Sequence, residues 1–64
     1  MITVNGEELA IENHCTVAEL LVRVGIAPPC AVEVNRTVVP FRDHPDHQVG
    51  PGDVVEIVTF VGGG

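Results

Sequence analysis

Apolar and polar residues alternate along two short runs at the start of the chain, residues 2–4 and 8–12. This period of two is typical of β-strands with one buried face. Asn5-Gly6 stands between the runs, and this pair favours a type I′ turn because both central positions of that turn need a positive φ. The pattern therefore predicts that the chain begins with a β-hairpin.

A helical period follows, with both ends of the helix marked. Thr16 and Glu19 have the spacing of a capping box, in which each side chain bonds the backbone amide of the other residue. Gly25 fits the left-handed position that ends a helix, and Pro28-Pro29 cannot continue one. Apolar residues recur at spacings of three and four residues and form one stripe: Val17, Leu20, Leu21 and Val24.

The second half of the chain predicts three more strands. Val32 and Val34 alternate with polar residues, and residues 37–39 form a short strand that Pro40 ends, since proline cannot donate to a sheet ladder. Residues 41–52 are expected to be a polar, irregular connection. The last strand runs from Val54 to about Phe60.

One helix between a hairpin and three further strands predicts an α+β fold in which the helix covers one face of a mixed sheet. This order matches the β-grasp (ubiquitin-like) fold, with the first and last strands parallel at the centre, although other small α+β arrangements also fit. We expect one domain, residues 1–60, followed by a flexible tail, residues 61–64.

Size and charge limit the possible functions. A chain of 64 residues is too short to fill a core and also enclose a deep active site, which favours a monomeric module that works on a partner over an enzyme. The net charge is −6 and the three arginines are scattered, so nucleic-acid binding is not expected. No apolar run would span a membrane and no export signal opens the sequence, so we expect a cytoplasmic protein.

The residues most able to carry chemistry are interpreted as structural. Cys15 and Cys30 are expected to be reduced, and Cys15 precedes the helix where it can pack on Leu20. His44, Asp46 and His47 could offer metal ligands, but a solvated polar loop is the preferred interpretation, so no metal site is predicted. No Gly-rich phosphate loop is present, so neither ATP nor another cofactor is expected to bind.

The chain ends in three glycines, Gly62, Gly63 and Gly64, directly after a strand. Glycine has no Cβ, so such a segment is the narrowest peptide available and could deliver its carboxylate through a tunnel in another protein. Small residues at a terminus can equally be a frayed end with no function. Composition alone leaves both interpretations open.

Four stretches, in this order and at this length, resemble the ThiS family of small sulfur carriers in bacterial thiamin biosynthesis. They are ITVNGEE, TVAELL, AVEVNRTVVP and the terminal PGDVVEIVTFVGGG. The small subunit of molybdopterin synthase shares the fold and the terminal Gly-Gly but tends to be longer. The chain departs from the ThiS pattern at Phe41, where an arginine is common, and it lacks the family's nearby tryptophan. Any partner contact of that loop is therefore left open.

The resemblance implies that partners act on Gly64. An adenylating enzyme similar to the ubiquitin-activating class would use ATP to activate the carboxylate, and a persulfide donor would supply the sulfur of a thiocarboxylate. Thiazole synthase would then take that sulfur. Gly63 and Gly64 match the functional pair and Gly62 is a spacer. A molybdopterin-type carrier, or an interaction module that carries nothing, is the alternative.

Alternation along the last strand predicts where a partner docks. If Glu56 faces solvent, Val55 and Ile57 face the helix, and the opposite face presents apolar residues that a monomer has little reason to expose. These residues lead directly into the tail, so we expect them to contact the adenylating enzyme: Val54, Val58 and Phe60.

Overall fold

A mixed sheet with one helix against one face forms the structure, a computed structural model that describes residues 1–60. The predicted tail, residues 61–64, lies outside the described residues. The elements in chain order are β1 (Ile2–Val4), β2 (Glu7–Leu9), β3 (Cys15–Thr16), α1 (Val17–Val24), β4 (Cys30–Val34), β5 (Thr37–Val39), a 3-10 turn (Phe41–Asp43), β6 (Gln48–Val49) and β7 (Val54–Thr59).

The main sheet has the strand order β2-β1-β7-β4-β5 over the described residues. β1 and β7 lie side by side and parallel, with Thr3 opposite Val54, while β4 is antiparallel to β7. A parallel pair needs a long crossover, and the segment that contains α1 supplies it. The predicted β-grasp arrangement, with the first and last strands together at the centre, is confirmed.

Two tight turns set the register of the outer strands. Asn5 and Gly6 have φ values of 51° and 81°, and Asn35 and Arg36 have 50° and 70°. Both turns thus have the positive φ at both central positions that a type I′ turn requires. The predicted turn at Asn5-Gly6 is confirmed, but β2 ends at Leu9, so the predicted strand at residues 8–12 was too long.

Both predicted ends of α1 are present. Glu19 donates its backbone N–H to Thr16 Oγ1 at 3.1 Å, and Thr16 donates its own to Glu19 Oε1 at 2.8 Å. At the other end Gly25 has φ 75°, and the N–H of Ile26 reaches the carbonyl of Leu21 at 2.9 Å. This last bond spans six residues and is typical of a helix that ends in a left-handed residue, and the same carbonyl also accepts the N–H of Gly25.

The core lies between α1 and the inner face of the sheet. Leu20 is fully buried, as predicted, and Val24 is only partly buried at the edge of the helix stripe. Fully burying a side chain of this size stabilises the fold by about 1.5–3 kcal/mol. The buried apolar residues are Ile2, Ile11, Val17, Leu20, Leu21, Cys30, Val32, Val34, Val39, Val49, Val55 and Ile57.

The connection between β5 and β7 differs from the prediction. Instead of a solvated polar loop, it holds a 3-10 turn and the short strand β6, which pairs with β3. His44 is 2% exposed, and its Nε2 lies 3.1 Å from the carbonyl oxygen of Val39. The interpretation of His44 as a solvated residue was therefore wrong.

The start of α1 explains why this connection is ordered. The first amides of a helix have no partner within the helix and must find acceptors elsewhere. Here Val17 donates its N–H to the carbonyl of His47 at 2.8 Å, and Ala18 donates to that of His44 at 3.0 Å. Two backbone carbonyls therefore hold the connection against the start of α1. The polarity of its side chains does not indicate these bonds.

Candidate functional site: the end of the last strand

The last strand, β7, passes through the centre of the sheet and leads to the glycine tail. Of the residues predicted to form the site, Val54, Val58 and Phe60 are described. Gly62, Gly63 and Gly64 lie outside the described residues. The described residues therefore form the surface that precedes the tail.

The predicted alternation along β7 is confirmed. Val55 and Ile57 are buried beneath α1, whereas Val54, Val58 and Phe60 are 45%, 60% and 57% exposed. We call these three exposed residues the apolar patch. No element among residues 1–60 covers it, so large apolar side chains face solvent on a central strand. Its role in docking stays a prediction.

Neighbouring strands enlarge the apolar patch beyond what the sequence analysis identified. Ala31 on β4 lies directly opposite Val58, and Val38 on β5 lies opposite Glu33. Both Ala31 and Val38 are exposed on the same face as the patch. The alternation of β4 and the Asn35-Arg36 turn, combined with the pairing of β4 and β7, could have identified them.

Two glutamates divide this open face. Glu33 and Glu56 are opposite each other across β4 and β7, and both are exposed. Like charges placed directly opposite on a sheet are destabilising, by a few tenths of a kcal/mol to about 1 kcal/mol. A partner with a basic group on its docking surface would relieve this repulsion. The net charge of −6 on the chain would also attract a basic partner.

Asparagine side chains hold the beginning and middle of β7. Asn35 accepts the N–H of Val54 through Oδ1 at 2.9 Å and donates through Nδ2 to Asp53 Oδ1 at 3.0 Å. Asn5 accepts the N–H of Ile57 through Oδ1 at 2.7 Å. The turn residues therefore have a second function, which is to fix the strand that leads to the tail.

The groups in residues 1–60 that could act chemically are not arranged as a reactive centre. Cys15 and Cys30 are free, as expected, and Cys30 is buried. Burial raises the pKa of the Cys15 thiol, and the nearby Glu19 carboxylate raises it further against an opposing effect of Arg23. Within these residues, no group of three or more His, Cys, Asp or Glu side chains is placed to hold a metal ion.

Comparison with models of known protein families shows which family the chain belongs to. The model of the ThiS family matches residues 2–64. The chain belongs to the ThiS family. The match includes the departure at Phe41 and the terminal glycines, so neither feature removes the chain from the family.

Solved structures agree with this membership. The crystal structure of the thiamine biosynthesis protein ThiS from Geobacter metallireducens has a TM-score of 0.78 at 33% identity, covering 98% of this chain and 97% of that one. An NMR solution structure of a thiamine biosynthesis protein from the same organism has a TM-score of 0.75 at 35% identity, covering 98% and 86%. These ThiS-family structures confirm the fold across nearly the whole chain.

A curated relative differs in size. A protein named thiazole synthase from Paramagnetospirillum magneticum is 39% identical over 64 residues, which are 98% of this chain but 20% of that protein. The chain thus spans about a fifth of the length of the relative it matches. In the part of this ThiS-family chain that the structure describes, no helix is long and apolar enough to cross a membrane.

Proposed function

We propose that this chain carries sulfur for the thiazole ring of thiamin as a thiocarboxylate on Gly64. The observation that supports this most is the conjunction of a ThiS-family β-grasp domain with a central strand that leads into Gly62, Gly63 and Gly64. In this function the domain is a protein cofactor, and the chemistry is performed by its partners.

The first step activates the carboxylate. An oxygen of the Gly64 carboxylate attacks the α-phosphorus of ATP on an adenylating enzyme, pyrophosphate leaves, and an acyl-adenylate forms. This step needs a phosphate site, and the chain has no Gly-rich loop that opens a helix. ATP therefore binds to the partner, and the chain itself needs no bound cofactor.

The second step replaces AMP with sulfur. The outer sulfur of a persulfide attacks the Gly64 carbonyl carbon, AMP leaves, and an acyl disulfide links the chain to the donor. A second thiol then attacks the donor's sulfur, forming a disulfide with it and releasing the Gly64 thiocarboxylate. The thiocarboxylate is a nucleophile at neutral pH, so thiazole synthase can transfer its sulfur to the growing ring.

Glycine suits these steps for a physical reason. A residue without Cβ leaves its carbonyl accessible from all sides, and it allows the segment to pass through a channel too narrow for other residues. Three residues in extended conformation reach about 10 Å. We propose that residues 61–64 act as this extension and that residues 1–60 act as the domain that partners grip.

The apolar patch (Val54, Val58 and Phe60) is the proposed docking surface for the adenylating enzyme. It is exposed and lies on the strand that precedes the tail, so a partner bound there is positioned to receive Gly64. The relative named thiazole synthase contains a region similar to this chain, which supports thiazole synthase as the second partner. We place this exchange in the cytoplasm, with the chain monomeric between encounters.

Intact-mass spectrometry tests the proposal. The chain is incubated with the adenylating enzyme of its source organism, ATP and a persulfide donor, and a variant that lacks Gly64 serves as the control. We expect the mass of the chain to rise by the difference between one sulfur and one oxygen atom, and that of the control to stay constant. An unchanged mass for the intact chain would support an interaction module that carries nothing.

A further inference from the structure

β7 extends past its neighbour β1, and this leaves part of a central strand unpaired on one side. β1 ends at Val4, opposite Val55, and the N–H of Asn5 reaches the carbonyl of Val55 at 2.9 Å. The next amide on this side, that of Ile57, donates to Oδ1 of the Asn5 side chain at 2.7 Å and has no backbone partner within residues 1–60. Beyond this bond the hairpin has turned away.

Thr59 is the next residue whose backbone groups point to this side, because strand residues alternate between their two neighbours. Among residues 1–60, no group bonds the N–H or C=O of Thr59 or the C=O of Ile57. The other side of β7 remains paired to its end, where the N–H of Phe60 reaches the carbonyl of Pro29 at 3.3 Å. We call the unpaired Ile57 and Thr59 groups the half-edge.

The Thr59 part of the half-edge is exposed as well as unpaired among the described residues. Thr59 lies on the same face as Val55 and Ile57, which are buried, yet Thr59 itself is exposed. Proteins usually shorten, cover or charge an unpaired strand edge, because it is a template for another strand. Here the half-edge is left available at the point where the chain leaves the domain.

The charges around the half-edge indicate which strand can pair with it. Glu56 is exposed on β7 itself. On the hairpin, Glu7 and Glu8 line a groove of about 290 Å³ together with Asn5, the residue whose side chain bonds the Ile57 amide. A second copy of this chain would bring the same acidic groups together, with a net charge of −6 on each copy. An extended segment with basic side chains would instead be attracted.

We propose that the adenylating enzyme adds a basic, extended strand to the half-edge, so that its backbone holds the root of the tail. Strand addition gives affinity through main-chain hydrogen bonds. Because the half-edge is short, about three to four residues of the partner would be enough to pair with it. This inference rests on the proposed carrier function and specifies how the partner fixes the direction of the tail. It is distinct from contacts to the apolar patch, which lie on the face of the sheet.

Amide hydrogen exchange measured by NMR tests the pairing in the unaltered chain. In the free protein, the N–H of Thr59 should exchange fast, while that of Val58, which points toward β4, should exchange slowly. Adding the adenylating enzyme should slow exchange at Thr59 by at least about ten-fold, as expected when an exposed amide gains a hydrogen bond. Unchanged exchange at Thr59 in the bound chain would overturn the inference.

A pair of variants gives a second, independent test. Thr59→Pro removes the amide hydrogen without breaking a bond within the domain, and Thr59→Ala removes the side chain but keeps the hydrogen. We expect Thr59→Pro to weaken binding to the adenylating enzyme about ten-fold and Thr59→Ala to bind like the unaltered chain. The affinity of the unaltered chain should also fall as salt concentration rises.

The outcomes separate this inference from the carrier function. If the unaltered chain gains sulfur but Thr59→Pro binds as well as Thr59→Ala, the strand addition is refuted and the carrier function stands. If the unaltered chain neither binds the enzyme nor gains sulfur, the carrier function is refuted, and this inference with it.

Discussion

The two ends of β7 are built in opposite ways. Its beginning is paired with β1 on one side and with β4 on the other, and Asn35 bonds both Val54 and Asp53 there. The last two residues of β7 and the Phe60 that follows them (Val58–Phe60), which we call the exit segment, are exposed and are paired on one side only within residues 1–60. One strand therefore joins a part of the sheet that is paired on both sides to a part that is exposed and paired on one side.

This difference separates stability from function along a single strand. Where β7 enters the sheet it is paired on both sides and bonded by Asn35, so substitutions that remove these hydrogen bonds should affect the free energy of unfolding. The exit segment contributes little buried area and offers two apolar side chains and the backbone groups of Thr59, so substitutions that remove an apolar side chain or the Thr59 N–H should affect binding.

The tail should be essential for sulfur loading and irrelevant to folding. We expect Gly63→Val, or deletion of Gly64, to abolish the mass increase, because a β-branched residue would not pass a channel fitted to glycine. The melting temperature should not change. Val22→Thr, at a helix position that is 81% exposed, is the control and should load normally. Normal loading of Gly63→Val would contradict the threading of the tail.

A single truncation in the core should remove a large share of the free energy of unfolding. Leu20→Ala removes a fully buried side chain and should cost about 2–5 kcal/mol, measured by urea denaturation. A domain of this length has a total stability of only about 5 kcal/mol, so the variant should be largely or wholly unfolded. The matched control is Val22→Ala on the exposed side of α1, which should cost less than about 0.5 kcal/mol. An unchanged midpoint for Leu20→Ala would show that the helix packs through another face.

The beginning of β7 should depend on Asn35. Asn35→Gly keeps the positive φ of the turn but loses the side-chain bonds to Val54 and Asp53, and should cost about 1–3 kcal/mol in urea denaturation. Asn35→Ala should cost more, since alanine disfavours φ 50°. Thr59→Ala at the exit segment is the comparison, and a cost equal to that of Asn35→Gly would contradict the division between the two ends.

The apolar patch should show the smallest effect on folding and a clear effect on binding. Val58→Ser and Phe60→Ser change exposed side chains and should alter the free energy of unfolding by less than about 0.5 kcal/mol. Each should weaken binding to the adenylating enzyme by about ten-fold, measured by calorimetry. Val22→Ser, exposed on the helix, should bind normally. Equal affinities for all three variants would place the docking surface elsewhere.

Local signals account for most of what the sequence predicted. The turn at Asn5-Gly6, the capping box of Thr16 and Glu19, and the alternation of β7 each depend on residues close together in sequence. They were confirmed because sterics and hydrogen bonding act over those few residues.

Features that depend on distant parts of the chain were missed. The burial of His44 arises because the first amides of α1 require carbonyl partners, and nothing near His44 in sequence reveals that need. Gly50 is a second case, since a Cβ there would lie 2.5 Å from Cδ2 of His14. The half-edge at Thr59 likewise follows from the relative lengths and register of β1 and β7.

A chemical-shift map of the chain, recorded while the adenylating enzyme is titrated in, tests the central claim most directly. The claim is that the partner binds mainly at the exit segment and leaves the Asn35 turn, which holds the beginning of β7, untouched. We expect the largest shifts at Val58, Thr59 and Phe60 and almost none at Asn35 and Asp53. Shifts centred on Asn35, or on the helix near Val22, with Val58 and Phe60 unmoved, would contradict it.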